Sequence, residues 1–226
     1  MEQLASGNNM PHMAHATRAS AEPAGEPSTA PTAPPRKRPS RIVIEDLFPV
    51  LDCGRYRVKR CVGDSVRVSA TIFRDGHERI EAVVRHRPAG AGRWSEAPMS
   101  RVDSHLDGDR WSGEFEVRVL GRASWQVLAW TDSFGTWQEE LERKLAAGQR
   151  DIASELAEGA ALLDDLIERT STAADAAALR AAREPLADVE LGEAERRRAA
   201  LDPELAELAR RCADRTDRAR SAVQEV

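Results

Sequence analysis

Every Trp, Phe and Tyr side chain of this 226-residue chain lies between Phe48 and Trp137, and residues 138–226 hold none. Such a break in composition marks a domain boundary. A second break stands at the start, where residues 1–40 hold seven of the twelve prolines. The chain therefore divides into three parts: a tail at 1–40, an aromatic-bearing domain at 41–137 and an aromatic-free region at 138–226.

The tail mixes its prolines with Ala, Ser, Thr and Glu. It cannot bury enough apolar surface to offset the entropy of ordering it, so disorder is expected. Met1, Met10 and Met13 are alternative starts. Arg36-Lys37-Arg38 with Arg41 is a short basic cluster. Its bland reading is a solvated linker flank; a phosphate-binding patch or targeting signal is the alternative.

In 41–137 the apolar residues alternate with period two, the signature of half-buried strands. Val66, Val68, Ala70 and Ile72 share one face. Phe115, Val117 and Val119 form a second run, and Trp125, Val127 and Ala129 a third, with Leu128 a partial exception. Residues 80–84 form another candidate strand. Between them stand turn signals at Val62-Gly63-Asp64, Arg74-Asp75-Gly76, Pro88 to Gly92 and Asp107-Gly108-Asp109. Short strands at this spacing, with no helical pattern between them, predict an immunoglobulin-like antiparallel β-sandwich of about 95 residues. Trp111 and Trp125 are in phase with the inward face and belong to its core. Trp94 lies in a Gly-rich hairpin and Trp137 at the start of a helix, where either suits a domain interface. Stacking of one of the five Trp rings on a sugar is the functional alternative.

Residues 138–226 read as an α-helical bundle. Thr136 and Glu139 are spaced as a capping box, which makes Thr136 the expected N-cap of a helix to Ala147, stopped at Gly148. Asp151 opens the next helix, to about Arg169, with Ile152, Leu156, Ala160, Leu163 and Ile167 on one stripe. An Ala-rich helix runs from about 172 to 183, with Pro185 ending it. Another spans about 189–200. Asp202-Pro203-Glu204 then pairs an N-cap with Pro at the first helical position. The stripes are narrow, and the region carries 21 acidic and 14 basic side chains. A bundle this lean is expected to pack on the sandwich, on a second copy, or on both. Arg196-Arg197-Arg198 reads as a solvated charge run, with an interface contact as the alternative.

Composition narrows the function. Hydrophobic residues are 41%, charged residues 31% and net charge is −5, an acidic balance that argues against a nucleic-acid binder. No apolar run reaches the roughly 18 residues of a membrane span, and no secretory signal opens the chain. Three cysteines (Cys53, Cys61, Cys212) suit a reducing cytoplasm better than a disulfide scaffold. His77, His86 and His105 stand at no metal-ligand spacing with them. There is no nucleophile elbow, phosphate loop or zinc-protease motif. No catalytic, substrate-binding or metal residue is assigned, and no cofactor is expected. The pattern is that of a noncatalytic α+β unit.

Six collinear stretches say more: 41–46 (RIVIED), 54–60 (GRYRVKR), 72–77 (IFRDGH), 109–113 (DRWSG), 130–134 (WTDSF) and 149–156 (QRDIASEL). In this order they resemble the N-terminal region of the bacterial α-1,4-glucan:maltose-1-phosphate maltosyltransferases, a family of the α-amylase superfamily best known in actinobacteria. The resemblance covers about 41–226. It implies an enzyme that moves maltose from α-maltose-1-phosphate to the non-reducing end of an α-1,4-glucan, releasing phosphate with retention. It also implies a double displacement by an Asp nucleophile, a Glu acid/base and a stabilising Asp, carried by a (β/α)₈ barrel. In that family, the resemblance further implies, the N-terminal sandwich and a helical insertion precede the barrel and help build a homodimer. A barrel needs about 250 residues of its own, and nothing here matches its motifs. The chain is thus expected to be an N-terminal fragment, inactive alone, in which scaffold and dimer interface reside. The alternative is a stand-alone α-glucan-binding or protein-interaction module acting through Trp94 or Trp137.

Overall fold

The structure is a computed structural model and describes residues 41–88, 90–102 and 108–226. The expected tail with Arg36-Lys37-Arg38 of its basic cluster, and His105, lie outside the described residues, while Arg41 is exposed. The described residues form one compact unit. Among the described residues the fold is α+β: a nearly closed antiparallel sheet and five α-helices.

The strands are β1 (Ile42–Phe48), β2 (Ser65–Arg74), β3 (Ile80–Arg87), β4 (Ser95–Arg101), β5 (Arg110–Glu116), β6 (Ser124–Thr131), β7 (Ala219–Arg220) and β8 (Gln224–Glu225). Their order is β1-β2-β5-β4-β3-β6-β7, with β8 also on β6, and β1 lies against β6 and β7 to bring the sheet round on itself. Alternation explains the core. Val66, Val68, Ala70 and Ile72 are all fully buried, facing Trp111, Phe115, Trp125 and Val127.

Two strands that lack clean alternation have local reasons. β4 pairs with β3 through Ser95–Pro98 and with β5 through Met99–Arg101. Pro98 cannot donate to a ladder, and it sits at that handover. Gly113 opposite Met99 permits the crossing, since a Cβ there would stand 2.7 Å from the Pro98 carbonyl oxygen. β6 is buried on both faces. Its Leu128 and Trp130 join Val83 in a second cluster covered by Ala213, and the Arg215 guanidinium lies 3.9 Å from the Trp130 ring centroid. Leu128, the exception to the alternation, is therefore apolar for a reason. Val119 differs from expectation: β5 ends at Glu116 and Val119 is exposed.

The helices are α1 (Ser133–Ala146), α2 (Ala153–Arg169), α3 (Ala173–Ala187), α4 (Glu193–Ala200) and α5 (Pro203–Arg211). Thr136 is not the N-cap of α1. Asp132 is, its Oδ1 accepting from Gly135 N at 2.9 Å. The Thr136 hydroxyl instead donates to the Asp132 carbonyl and accepts from Arg79 N, tying the helix to β3. Pro185 does not end α3 but sits in its last turn. Asp202 caps α5 as expected, accepting from Glu204 N at 2.8 Å. After α5 the chain returns to the sheet as β7 and β8, inside the stretch read as helical.

The apolar stripe of α2 is covered from within the chain. Leu156 and Leu163 are fully buried among Phe134, Trp137, Leu179 and Leu205 of the other helices. Where α1 turns into α2, Trp137 Nε1 donates to the Glu155 carbonyl at 2.8 Å. The Glu155 carboxylate accepts from Lys144, Gln149 and Ser154, each at 2.9 Å. These bonds, that from Lys144 foremost, hold its pKa at about 2, below the ordinary 4.5. A depressed carboxyl stabilises the fold above its unfolded pKa and loses that contribution as pH falls through the folded one. Glu155→Gln is therefore expected to lower the urea midpoint at neutral pH. The gap to wild type should close between about pH 4.5 and 2. A gap independent of pH would contradict this role.

Candidate functional site

The register gathers the charged ends of several strands at one end of the sheet. Ile42 pairs with Arg74, Ile80 with Thr131 and Arg101 with Trp111, and α1 leaves from the same end. A cleft of about 930 Å³ lies there, between the β2–β3 turn, β4, β5, α1 and α5. Met99 and Trp111 give it an apolar wall, and Arg74, Glu78, Arg79, Glu81, Glu207 and Arg210 a charged one.

These charges are largely committed to one another. Arg74, its side chain only 6% exposed, donates to Thr131 Oγ1 at 2.6 Å and Glu78 Oε1 at 3.0 Å. The Thr131 hydroxyl in turn donates to Asp217 at 2.6 Å, so one buried cation links β2, β6 and the segment entering β7. Arg210 forks onto both oxygens of Glu207 at 2.9 and 2.7 Å. Asp132, already a helix cap, faces Arg79 at 3.8 Å. Half-buried Glu81 holds its proton above the ordinary range, chiefly through burial and then through the Asp132 charge, with Arg210 and Arg79 opposing. Charge-assisted bonds of this kind are strong and directional. What they do here is join β2, β6 and the segment entering β7, and tie the start of α1 to Arg79, while Arg210 and Glu207 pair within α5.

The other singled-out residues are dispersed. Trp111, Trp125, Trp130 and Trp137 are at most 8% exposed, so their faces are closed to a sugar. Trp94 is half-buried, with the Arg85 and Arg87 guanidiniums 5.2 and 4.6 Å from its ring centroid. His86 stacks on Phe115 at 4.6 Å, and burial, then the Arg118 charge, depresses its pKa. His77 lines the cleft. Cys53, Cys61 and Cys212 are free thiols. Within the arginine run, Arg196 donates to the Leu186 carbonyl at the end of α3. Among the described residues no group of three or more His, Cys, Asp and Glu is placed to hold a metal ion. No described helix is long and apolar enough to cross a membrane. Arg74, Asp132 and Glu155, which carry several polar bonds each, and half-buried Glu81 stand at no recognisable spacing in the sequence.

Comparison with known proteins supplies what the geometry alone does not. A family model described as alpha-1,4-glucan:maltose-1-phosphate maltosyltransferase, domain N/S, matches residues 40–226. The maltosyltransferase of that name from Myxococcus xanthus is 41% identical over 192 residues, covering 80% of this chain and 27% of the relative. That from Salinibacter ruber is 37% identical over 192 residues, covering 83% of this chain and 27% of the relative. A Burkholderia pseudomallei enzyme of the same name is 39% identical over 137 residues, 61% of this chain and 12% of its own. The chain thus spans about a quarter or less of these relatives' length. With the family model running from residue 40 to residue 226, the chain belongs to the α-1,4-glucan:maltose-1-phosphate maltosyltransferase family, to the part called domain N/S.

Proposed function

We propose that this chain is the noncatalytic N-terminal unit of a maltosyltransferase that elongates α-1,4-glucans from α-maltose-1-phosphate, with retention of configuration and release of phosphate. Its role is scaffold and homodimer contact, in a cytoplasmic enzyme. The sheet corresponds in this reading to an immunoglobulin-like sandwich and the five helices to the bundle that follows it. The observation that carries the reading is the family match across 40–226. The fold supports it: the described strands pair antiparallel, whereas a (β/α)₈ barrel is a parallel sheet of about 250 residues. The retaining reaction needs two carboxyl groups about 5–5.5 Å apart across the scissile bond. Of the cleft's carboxylates, Glu78, Asp109 and Glu207 are engaged instead with Arg74, Arg101 and Arg210.

The reading is tested by incubating the purified chain with α-maltose-1-phosphate and a maltooligosaccharide and measuring phosphate. The expected result is release equal to a protein-free control. Turnover that copurifies with the chain would overturn it. A stand-alone glucan-binding module has less support, because four of the five tryptophans are buried.

A further inference from the structure

The outer face of β3, β4 and β6 gathers hydrogen-bond donors that the fold leaves unfilled. The register sets them in two rows. In one, Arg85 stands between Glu96 on β4 and Gln126 on β6. In the other, two residues on, Arg87 faces Ser124 on β6, and Trp94 stands one step beyond the Ser95–His86 pair. Residues two apart on a strand share a face at a spacing of about 6.6 Å, and neighbouring strands are about 4.8 Å apart. Arg85, Arg87, Ser124 and Gln126 thus surround one patch that all four side chains can reach. Gln126 forms its floor: it is only 8% exposed, between the pairings of β6 with β7 and with β8.

Among the described residues the Ser124 hydroxyl and the Gln126 side-chain amide have no hydrogen-bond partner. The Arg87 guanidinium meets the Trp94 ring and no carboxylate. Arg85 Nε is sealed from water and bonded to nothing, with Glu96 Oε1 at 3.6 Å. The other oxygen of Glu96 accepts from Arg215 at 2.7 Å. Arg85, Arg87 and Arg215 therefore share one carboxylate, on a chain whose net charge is −5, and Glu225, opposite Ser124, is paired with Arg57. Buried polar groups ordinarily have partners, so donors left without them on three adjoining strands point to an acceptor ligand. Half-buried Trp94 holds the two guanidiniums 5.2 and 4.6 Å from its centroid. Cation–π contacts of this kind set the donors in place before a ligand arrives and lower the entropy lost on binding.

We propose that this face binds a phosphate group, held by Arg85, Arg87, Ser124 and Gln126 beside Trp94. Phosphate fits better than a carboxylate. Its charge of about −1.5 to −2 matches two guanidiniums, and its oxygens spread in three directions to meet donors from two strands. Carboxylate oxygens lie in one plane and satisfy one guanidinium fork at a time. Nothing in this site depends on the family reading.

The test is nuclear magnetic resonance of the full chain titrated with inorganic phosphate, against chloride at equal ionic strength. The Arg85 and Arg87 Nε–H, Gln126 side-chain amide and Trp94 Nε1–H signals should shift together and saturate with a Kd of about 1 mM or tighter. Arg85→Gln with Arg87→Gln should weaken binding about tenfold or more, as loss of charge-assisted bonds does. Arg150→Gln, which removes an exposed charge elsewhere, should leave it unchanged. Gln126→Leu keeps the floor filled without the amide and should weaken it about threefold. α-Maltose-1-phosphate identifies the source of the phosphate: saturation of the same signals at lower concentration assigns a monoester, and at equal or higher concentration the free anion. Shifts no larger than with chloride overturn the proposal. So do shifts that survive in the double arginine variant, and acetate binding as tightly as phosphate. If the double variant fails to fold, the wild-type titrations with chloride, acetate and phosphate still decide.

Discussion

A Leu163→Asp variant is expected to have no folded helical core at 25 °C. Leu163 is fully buried at the centre of the helical cluster. Removing a buried leucine side chain costs about 2–5 kcal/mol. An unpaired carboxylate in its place adds several more, because no partner repays its desolvation. Against a total stability of about 5–15 kcal/mol, that sum leaves little or nothing. Ala161 is two residues away on the same helix and exposed. Ala161→Asp introduces the same charge and should shift stability by no more than about 0.5 kcal/mol. Far-ultraviolet circular dichroism with urea titration distinguishes the two. A folded Leu163→Asp protein, merely shifted in its self-association, would mean that the stripe packs between copies rather than inside the chain.

Gly159→Ala should destabilise, although helix propensity argues the other way. Alanine in a helix interior is favoured over glycine by about 1 kcal/mol. Here, however, a Cβ would stand 2.6 Å from Trp137 Cε2 and nearer still to Cζ2. The indole is 4% exposed and tethered through Nε1 to the Glu155 carbonyl, so it cannot withdraw without losing that bond. Overpacking of this kind costs about 1–3 kcal/mol, and the lost hydrogen bond about 1 kcal/mol more. The expected net is a fall of about 5 °C in the thermal midpoint for a chain of this size. Gly192→Ala, where a Cβ meets open space, is the control. An unchanged or raised midpoint for Gly159→Ala would show that the ring is not fixed.

These two sites mark the boundary of what sequence pattern reveals. The period-two runs of β2 and β6 and the 3.6-period stripe of α2 are local, and each element stands where its pattern puts it. β1 escaped notice because its register shifts between Glu45 and Phe48, with Asp46 at φ 50°. β4 escaped because Pro98 and a change of partner interrupt it. β7 and β8 are two residues each, and their pairing with β6 is a long-range event that leaves no periodicity. The spacing of Thr136 and Glu139 satisfied a capping box, yet Asp132 stands one turn earlier and took the cap. The cleft was illegible for a related reason. Arg74, Glu81 and Arg210 come from three different elements, and only the tertiary fold brings them to one cleft. The resemblance in six short stretches carried the family assignment, which neither periodicity nor the cleft supplies.

The central claim is that this chain is the noncatalytic unit on which a maltosyltransferase is built. Phosphate release from α-maltose-1-phosphate, with a maltooligosaccharide acceptor, tests it most directly in three proteins. These are the chain alone, the portion of the Myxococcus xanthus enzyme outside the match alone, and the two joined. The account predicts none from the chain. It predicts at least about tenfold more from the joined protein than from the isolated portion, equivalent to about 1.4 kcal/mol of transition-state stabilisation. Turnover by the chain alone, or an isolated portion as active as the joined protein, would contradict it.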